Sequence, residues 1–280
     1  MRFRNVAQVA CRTWLAILIV LLYAPILVVL GASLDRGPDV GPAAFLRFPP
    51  QEITLRWYFS IQPAMWESVW FSVRLAAATA AAALALGVPA ALGLARVGPR
   101  TYRALGSLFR MPLQIPYIVT GVAFLQAYHA LAVASGVQFA GTFFGLFLAH
   151  VFVATPYVIS ATVAALGAAA IRIEDAALAL GASYPRALLR VTLPLAMPGV
   201  FAGGLYAFLV SFTDVTVSVL LGGVGSATFP VAIMNAINGE LDPAVPAVAS
   251  LVFLSSVGAV LLLQRLLGLR ALLASSRHGG

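Results

Sequence analysis

The sequence contains no lysine and one cysteine. Without lysine there can be no phosphate-binding loop of the type that ends in Gly-Lys-Ser/Thr, so this chain cannot carry that kind of nucleotide site. The lone Cys11 excludes an internal disulfide framework and any multi-cysteine metal cluster. It follows Val9-Ala10, but the apolar run that precedes a lipoprotein cysteine is missing, and it is read as an ordinary residue. His129, His150 and His278 are too scattered for a local metal motif. Charged residues make up 9% of the chain, and no basic run is interleaved with aromatics, so the net charge of +8 does not point to nucleic acid. No nucleophile, base and metal-ligand set converges in sequence, so no catalytic residue, metal site or cofactor is expected.

What is abundant is apolar surface: 61% of the residues are hydrophobic, and the mean hydropathy is +0.98. That is a composition for lipid. A spanning helix needs about 20 apolar residues, and six stretches qualify, at 14–33, 69–95, 107–133, 143–168, 196–222 and 247–267. The expected fold class is therefore all-α integral membrane with six transmembrane helices. The first stretch follows Arg2, Arg4 and Arg12 and ends in Gly31-Ala32-Ser33, as a signal peptide would, but its apolar run is long and favours a retained helix. Gly141 with Gly145, and Gly199 with Gly203, have the spacing that lets helices approach closely.

Arginine sets the orientation, because short basic loops stay cytoplasmic. With both termini inside, the cytoplasmic side receives Arg2, Arg4, Arg12, Arg96, Arg100, Arg103, Arg110, Arg172, Arg186, Arg190, Arg265, Arg270 and Arg277. Arg36, Arg47 and Arg56 fall outside, in a Pro-rich loop at about 34–67 that also carries Asp35, Asp39, Glu52 and Glu67.

Residues 171–192 interrupt the hydrophobic pattern on the basic side. Glu174 and Asp175 suit a helix N-terminus, and Ala176, Ala177 and the residues to Leu180 continue as helix formers. Gly181 can end that helix with a positive φ, Ser183 can cap a second one, and Pro185 fits its first turn. The expected product is a short helical hairpin with a small apolar surface, on which Arg186 and Arg190 face water or an acidic partner. A plainer reading of the same residues is an amphipathic linker on the membrane surface.

The register of this segment resembles the cytoplasmic loop of permease subunits of binding-protein-dependent ABC importers of the MetI-like type. That loop carries Glu-Ala-Ala, three residues, Gly, nine residues, then an aliphatic residue, any residue and Leu-Pro. Asp175-Ala176-Ala177, Gly181, Val191, Leu193 and Pro194 stand in that register, with Asp in place of Glu. Gly87-Val88-Pro89, Leu113-Gln114-Ile115-Pro116 and Leu195-Ala196-Met197-Pro198 agree as well. The resemblance implies an importer transmembrane domain over 65–270, preceded by a helix and periplasmic loop (1–64) and followed by a cytoplasmic tail (271–280). It also implies a multi-pass protein of the bacterial inner membrane that is not itself an enzyme. Its partners would be a cytoplasmic ATPase dimer that binds the ATP, a second permease subunit (another copy or a relative), and a periplasmic substrate-binding protein. Glu174, Asp175, Ala176, Ala177, Gly181, Ala182, Ser183, Arg186 and Pro194 would form the ATPase-coupling segment.

An ionisable residue at membrane depth is a candidate functional site. Asp214 lies in Ser211-Phe212-Thr213-Asp214-Val215-Thr216, so Ser211, Thr213, Asp214 and Thr216 are candidates for the substrate pathway. Alternatively Asp214 pairs with Arg74 or caps a broken helix. His129 and His150 are expected to be satisfied by helix–helix hydrogen bonds. The region around Asp214 is similar to that of polyamine-type permeases; phosphonate and ferric-iron permeases are alternatives, and an ion-driven secondary transporter coupled through Asp214 is a more distant one.

Overall fold

Helix-forming alanine and leucine runs, interrupted by glycine and proline, yield a structure in which the described residues form helices and no strand, with one isolated bridge between Asp35 and Ile53. The structure, a computed structural model, describes residues 2–36, 48–223, 227–239, 242, 244–258 and 261. It divides into two compact units, residues 1–65 with 233–280, and residues 66–232.

In the first unit, α1 (Arg2–Leu34) contains the apolar stretch Cys11–Leu34. Trp14, Leu15, Val20, Leu21 and Leu22 are exposed around it, as on a helix whose solvent is hydrocarbon. The polar residues that follow are tied down. Asp35 is buried, its Oδ1 accepts the N–H of Gln51 at 2.9 Å, and its carbonyl accepts Trp57 Nε1–H at 2.8 Å. Ser33 and Tyr58 share a hydroxyl hydrogen bond of 2.8 Å, and the short helix α2 (Arg56–Phe59) packs Trp57 inward. Asp35 is thus a structural anchor rather than a solvated loop residue.

The second unit is built on α3 (Pro63–Leu94), α4 (Pro99–Gln114), α5 (Tyr117–Ser135), α6 (Phe143–Ala179), α7 (Tyr184–Ala187), α8 (Leu193–Thr213) and α9 (Thr216–Leu221). Its core is made of small side chains. Ala83, Ala154, Val158 and Ala207 pack together from α3, α6 and α8. A Cβ on Gly199 would lie 2.6 Å from Ala165 Cβ, and one on Gly203 would lie 2.8 Å from Val158 Cα, so these two positions set the close approach of α8 to α6. Gly141, by contrast, precedes α6 in a turn with φ 79°, so it forms no helical small-residue pair with Gly145.

Among the described residues, five helices are long and apolar enough to cross a membrane: Cys11–Leu34, Pro63–Leu94, Tyr117–Ser135, Phe143–Gly167 and Tyr184–Thr213. The shortest, with 19 residues, is about 28 Å long, close to the thickness of the hydrocarbon layer.

Two expected boundaries move. The stretch 107–133 is broken before Pro116, where Ile115 turns extended (ψ 127°) because the residue preceding proline is driven out of the helical region. What lies upstream is α4, an amphipathic helix with Arg100, Arg103 and Arg110 exposed and Tyr102, Leu105 and Phe109 packed on Ala91, Leu94 and Ile159. The stretch 196–222 ends at Thr213, since Asp214 is extended (ψ 129°) and α9 begins anew at Thr216. Of the stretch 247–267, residues to Gly258 lie in the apolar helix Ala244–Gly258, and most of the rest lies outside the described residues.

Candidate functional site

The hairpin is set by backbone chemistry at two glycines. At Gly167 the chain takes φ 51°, ψ 176°, a conformation closed to side chains with a Cβ, and α6 kinks there. The helix resumes and runs to Ala179. Gly181, at φ 89°, then closes it: Ala182 N–H donates to Ala177 O at 3.0 Å and Gly181 N–H to Leu178 O at 2.9 Å. These two bonds are those of a Schellman cap, which satisfies the last carbonyls of a helix.

Ser183 (ψ 150°) stands at the N-cap of α7, and Pro185 lies in its first turn. The Ser183 side chain makes no capping bond, so its role there is conformational, contrary to the expected side-chain cap. A π-helical turn, Leu188–Thr192, follows, and α8 begins with Pro194 in its first turn. Proline has no N–H to donate and crowds the carbonyl one turn back, which accounts for the widened turn in front of it.

Glu174 and Asp175 do not begin a helix, because Ala168-Ala169-Ala170 extend it back to Gly167. They diverge instead. Asp175 is exposed, as are Ala176, Gly181, Ser183, Arg186 and Pro194; Ala177 and Ala182 are half-buried. Leu180 (90% exposed), Tyr184 and Leu189 add apolar area to this outer surface. Glu174 points inward and is 3% exposed.

Arg96, just beyond α3, grips the Glu174 carboxylate with two bonds, Nη2 to Oε2 at 2.6 Å and Nε to Oε1 at 3.2 Å. Thr192 Oγ1 donates to the same Oε2. Arg96 also donates to Leu92 O, and its guanidinium lies 5.7 Å from the centroid of the Tyr184 ring. Burial acts to raise the pKa of Glu174, but the hydrogen bonds from Arg96 and Thr192, with the charge of Arg96, outweigh it and hold the carboxyl below its ordinary range. Arg96 and Thr192 were invisible to motif reading, since the sequence marked Arg96 only as a basic end of a span.

The second candidate cluster centres on His150 of α6. Its Nδ1 is 2.8 Å from Ser211 Oγ of α8, and its Nε2 is 3.3 Å from Ser218 Oγ of α9 and 3.6 Å from Asp214 Oδ2. Asp214 Oδ2 accepts the backbone N–H of Ser218 at 2.9 Å, capping α9. All four side chains are buried. His150, Ser211 and Asp214 line a small cavity with Val153, Val210 and Val217. Thr213 is exposed and bonds its own helix at Leu209 O, and Thr216 is half-buried.

Of the readings open for Asp214, the geometry supports the helix cap, with His150 as its buried neighbour. Arg74 instead donates to Trp70 O. Serine, histidine and aspartate do meet here, yet the order is not that of a nucleophilic triad. At 3.6 Å the Asp214–His150 contact is too long for a hydrogen bond. The arrangement cross-ties α6, α8 and α9. His129, by contrast, is exposed on α5.

Comparison with known proteins places these features in context. Residues 83–271 match the family described as binding-protein-dependent transport system inner membrane component. The chain is 33% identical to the putrescine transport system permease protein PotI of Escherichia coli (strain K12), over 73% of this chain and 74% of that protein. It is 34% identical to the molybdenum transport system permease protein ModB of Mycobacterium tuberculosis, over 61% of this chain and 69% of that protein. Among solved structures, a bacterial ABC transporter involved in the import of the acidic polysaccharide alginate shares the fold, with a TM-score of 0.70 and 16% identity, covering 95% of this chain and 98% of that one.

Proposed function

This chain belongs to the family of inner-membrane components of binding-protein-dependent transport systems, the MetI-like permeases of ABC importers, and we propose that its cargo is a polyamine or a similar small organic cation. The observation that carries the cargo reading is the 33% identity to the putrescine permease over 73% of this chain. Asp214 does not carry it, because its carboxylate is engaged with Ser218 and His150.

In this reading the chain forms half of the pore, beside a second permease subunit. Both termini and the hairpin 168–194 lie on the cytoplasmic side, and the helix beginning at Ala244 completes a sixth crossing. The exposed face formed by Asp175, Ala176, Leu180, Gly181, Tyr184 and Arg186 docks into a groove of the ATPase dimer. ATP is bound and hydrolysed there, and cargo arrives on a periplasmic binding protein. The number and polarity of the exposed groups support docking over a surface linker: Leu180 is almost fully exposed, and Asp175 and Arg186 on the same hairpin offer both signs.

The test is affinity purification of the tagged chain in mild detergent, identification of co-purifying subunits, and titration of the recovered binding protein with putrescine, spermidine and molybdate. Saturable binding of either amine, with none of molybdate, is the expected result. Binding of molybdate alone would overturn the cargo reading and favour the second reading, which the 34% identity to ModB supports.

A further inference from the structure

We propose that Arg96 and Thr192 are positioning residues for energy coupling, acting through Glu174 to clamp the hairpin to the end of α3. The proposal rests on the coupling reading above. The hairpin is joined by the chain only to α6 and α8, and each join is soft: a kink with φ 51° at Gly167 and a π-helical turn at Leu188–Thr192. Neither join leads to α3. Ala170 packs near Leu92 and Ala95 in a small apolar cluster, which fixes no direction. Arg96 supplies the directional link, since one guanidinium bonds the α3 carbonyl of Leu92, grips both oxygens of Glu174 and covers the ring of Tyr184. Thr192 brings the π-helical turn to the same carboxylate.

A push on the exposed face is therefore delivered to α3 through a rigid two-point fork as well as along the backbone. A buried ion pair is a poor source of net stability, because desolvation offsets its attraction. Its geometry is what it contributes. A single hydrogen bond or a lysine ammonium could not fix the angle between hairpin and span as a bidentate guanidinium does.

The experiment uses the chain purified with its co-purifying ATPase, comparing wild type with R96Q, R96K, E174Q, T192V and R96Q/E174Q. Backbone hydrogen exchange is measured with and without ATP in the hairpin (170–192) and at the end of α3 (86–96). In wild type, ATP changes exchange in both segments. In R96Q and E174Q the hairpin still responds while the response at 86–96 falls on the order of tenfold. The double variant is no worse than either single one, and R96K and T192V are intermediate. Thermal unfolding of each variant is recorded alongside, since a purely structural pair would lower it without separating the two responses.

An undiminished response of 86–96 in R96Q and R96K, with ATPase still bound, would overturn the proposal and leave the coupling reading standing. Absence of an ATPase from the wild-type preparation would remove both.

Discussion

His150 Nε2 stands 3.6 Å from Asp214 Oδ2 with both side chains buried, and the same carboxylate oxygen accepts the N–H of Ser218 at 2.9 Å. The pair separates two roles that one acidic residue in a hydrophobic stretch leaves merged, a pathway group or a helix cap. If the cap dominates, D214N, which keeps a carbonyl acceptor, retains most of the stability, whereas D214A loses about 0.5–2 kcal/mol. Thermal unfolding in detergent checks this. Equal losses for both variants would mean that the charge, and not the cap, is what matters.

The charge on Glu174 gives a pH prediction. Its pKa is lower in the folded chain, so the unfolded state binds the proton more tightly, and the stabilisation is fully present above the unfolded value of about 4.3. It is lost as pH falls through the folded value. The stability difference between wild type and E174Q is therefore flat from about pH 6 to 8 and shrinks toward zero in acid. Unfolding midpoints of the two proteins from neutral pH down into the acid range measure it. A difference that grows on acidification contradicts the assignment.

How far these features could be read in advance depends on their range along the chain. Gly181 and Pro185 were legible because a positive φ and a missing N–H are local demands, and the structure meets both. Pro116 was present in the sequence, yet the hydropathy of 107–133 ran across it. The amphipathic face of α4, with its three arginines on one side, was the overlooked signal. Arg96 and Glu174 are 78 residues apart, and nothing local distinguishes a paired carboxylate from its solvent-facing neighbour Asp175. His150 was expected to bond between helices, but its two serine partners were fixed only by how α6, α8 and α9 pack.

Packing of α8 on α6 gives a contrast between glycines. A side chain at Gly199 or Gly203 meets the backbone or Cβ atoms of α6, which cannot swing aside, so G199V and G203V are expected to cost more than the 1–3 kcal/mol typical of overpacking. Gly93 has open space around its absent Cβ and lies within α3, so G93A is neutral or stabilising by up to about 1 kcal/mol. Monodispersity in detergent and thermal unfolding would separate the three. If G199V were tolerated as well as G93A, the close approach would be wrong.

The Schellman cap at Gly181 ties backbone conformation to partner binding. Its φ of 89° costs a residue with a Cβ about 1–2 kcal/mol, and more for a β-branched one, while asparagine tolerates this region better. The cap lies on the exposed face with open space around it, so G181V strains the turn without a steric clash inside the bundle. Loss of the turn would swing Leu180 and Tyr184 out of register while the spans remain folded. G181V is therefore expected to retain membrane insertion and to lower ATPase co-purification about tenfold, the equivalent of ~1.4 kcal/mol, with G181N between it and wild type. S183A, which removes a hydroxyl that makes no capping bond, leaves co-purification unchanged. Quantified recovery of the ATPase per permease decides the matter, and a loss in S183A as large as in G181V would place the binding determinant in the serine side chain and not in the turn.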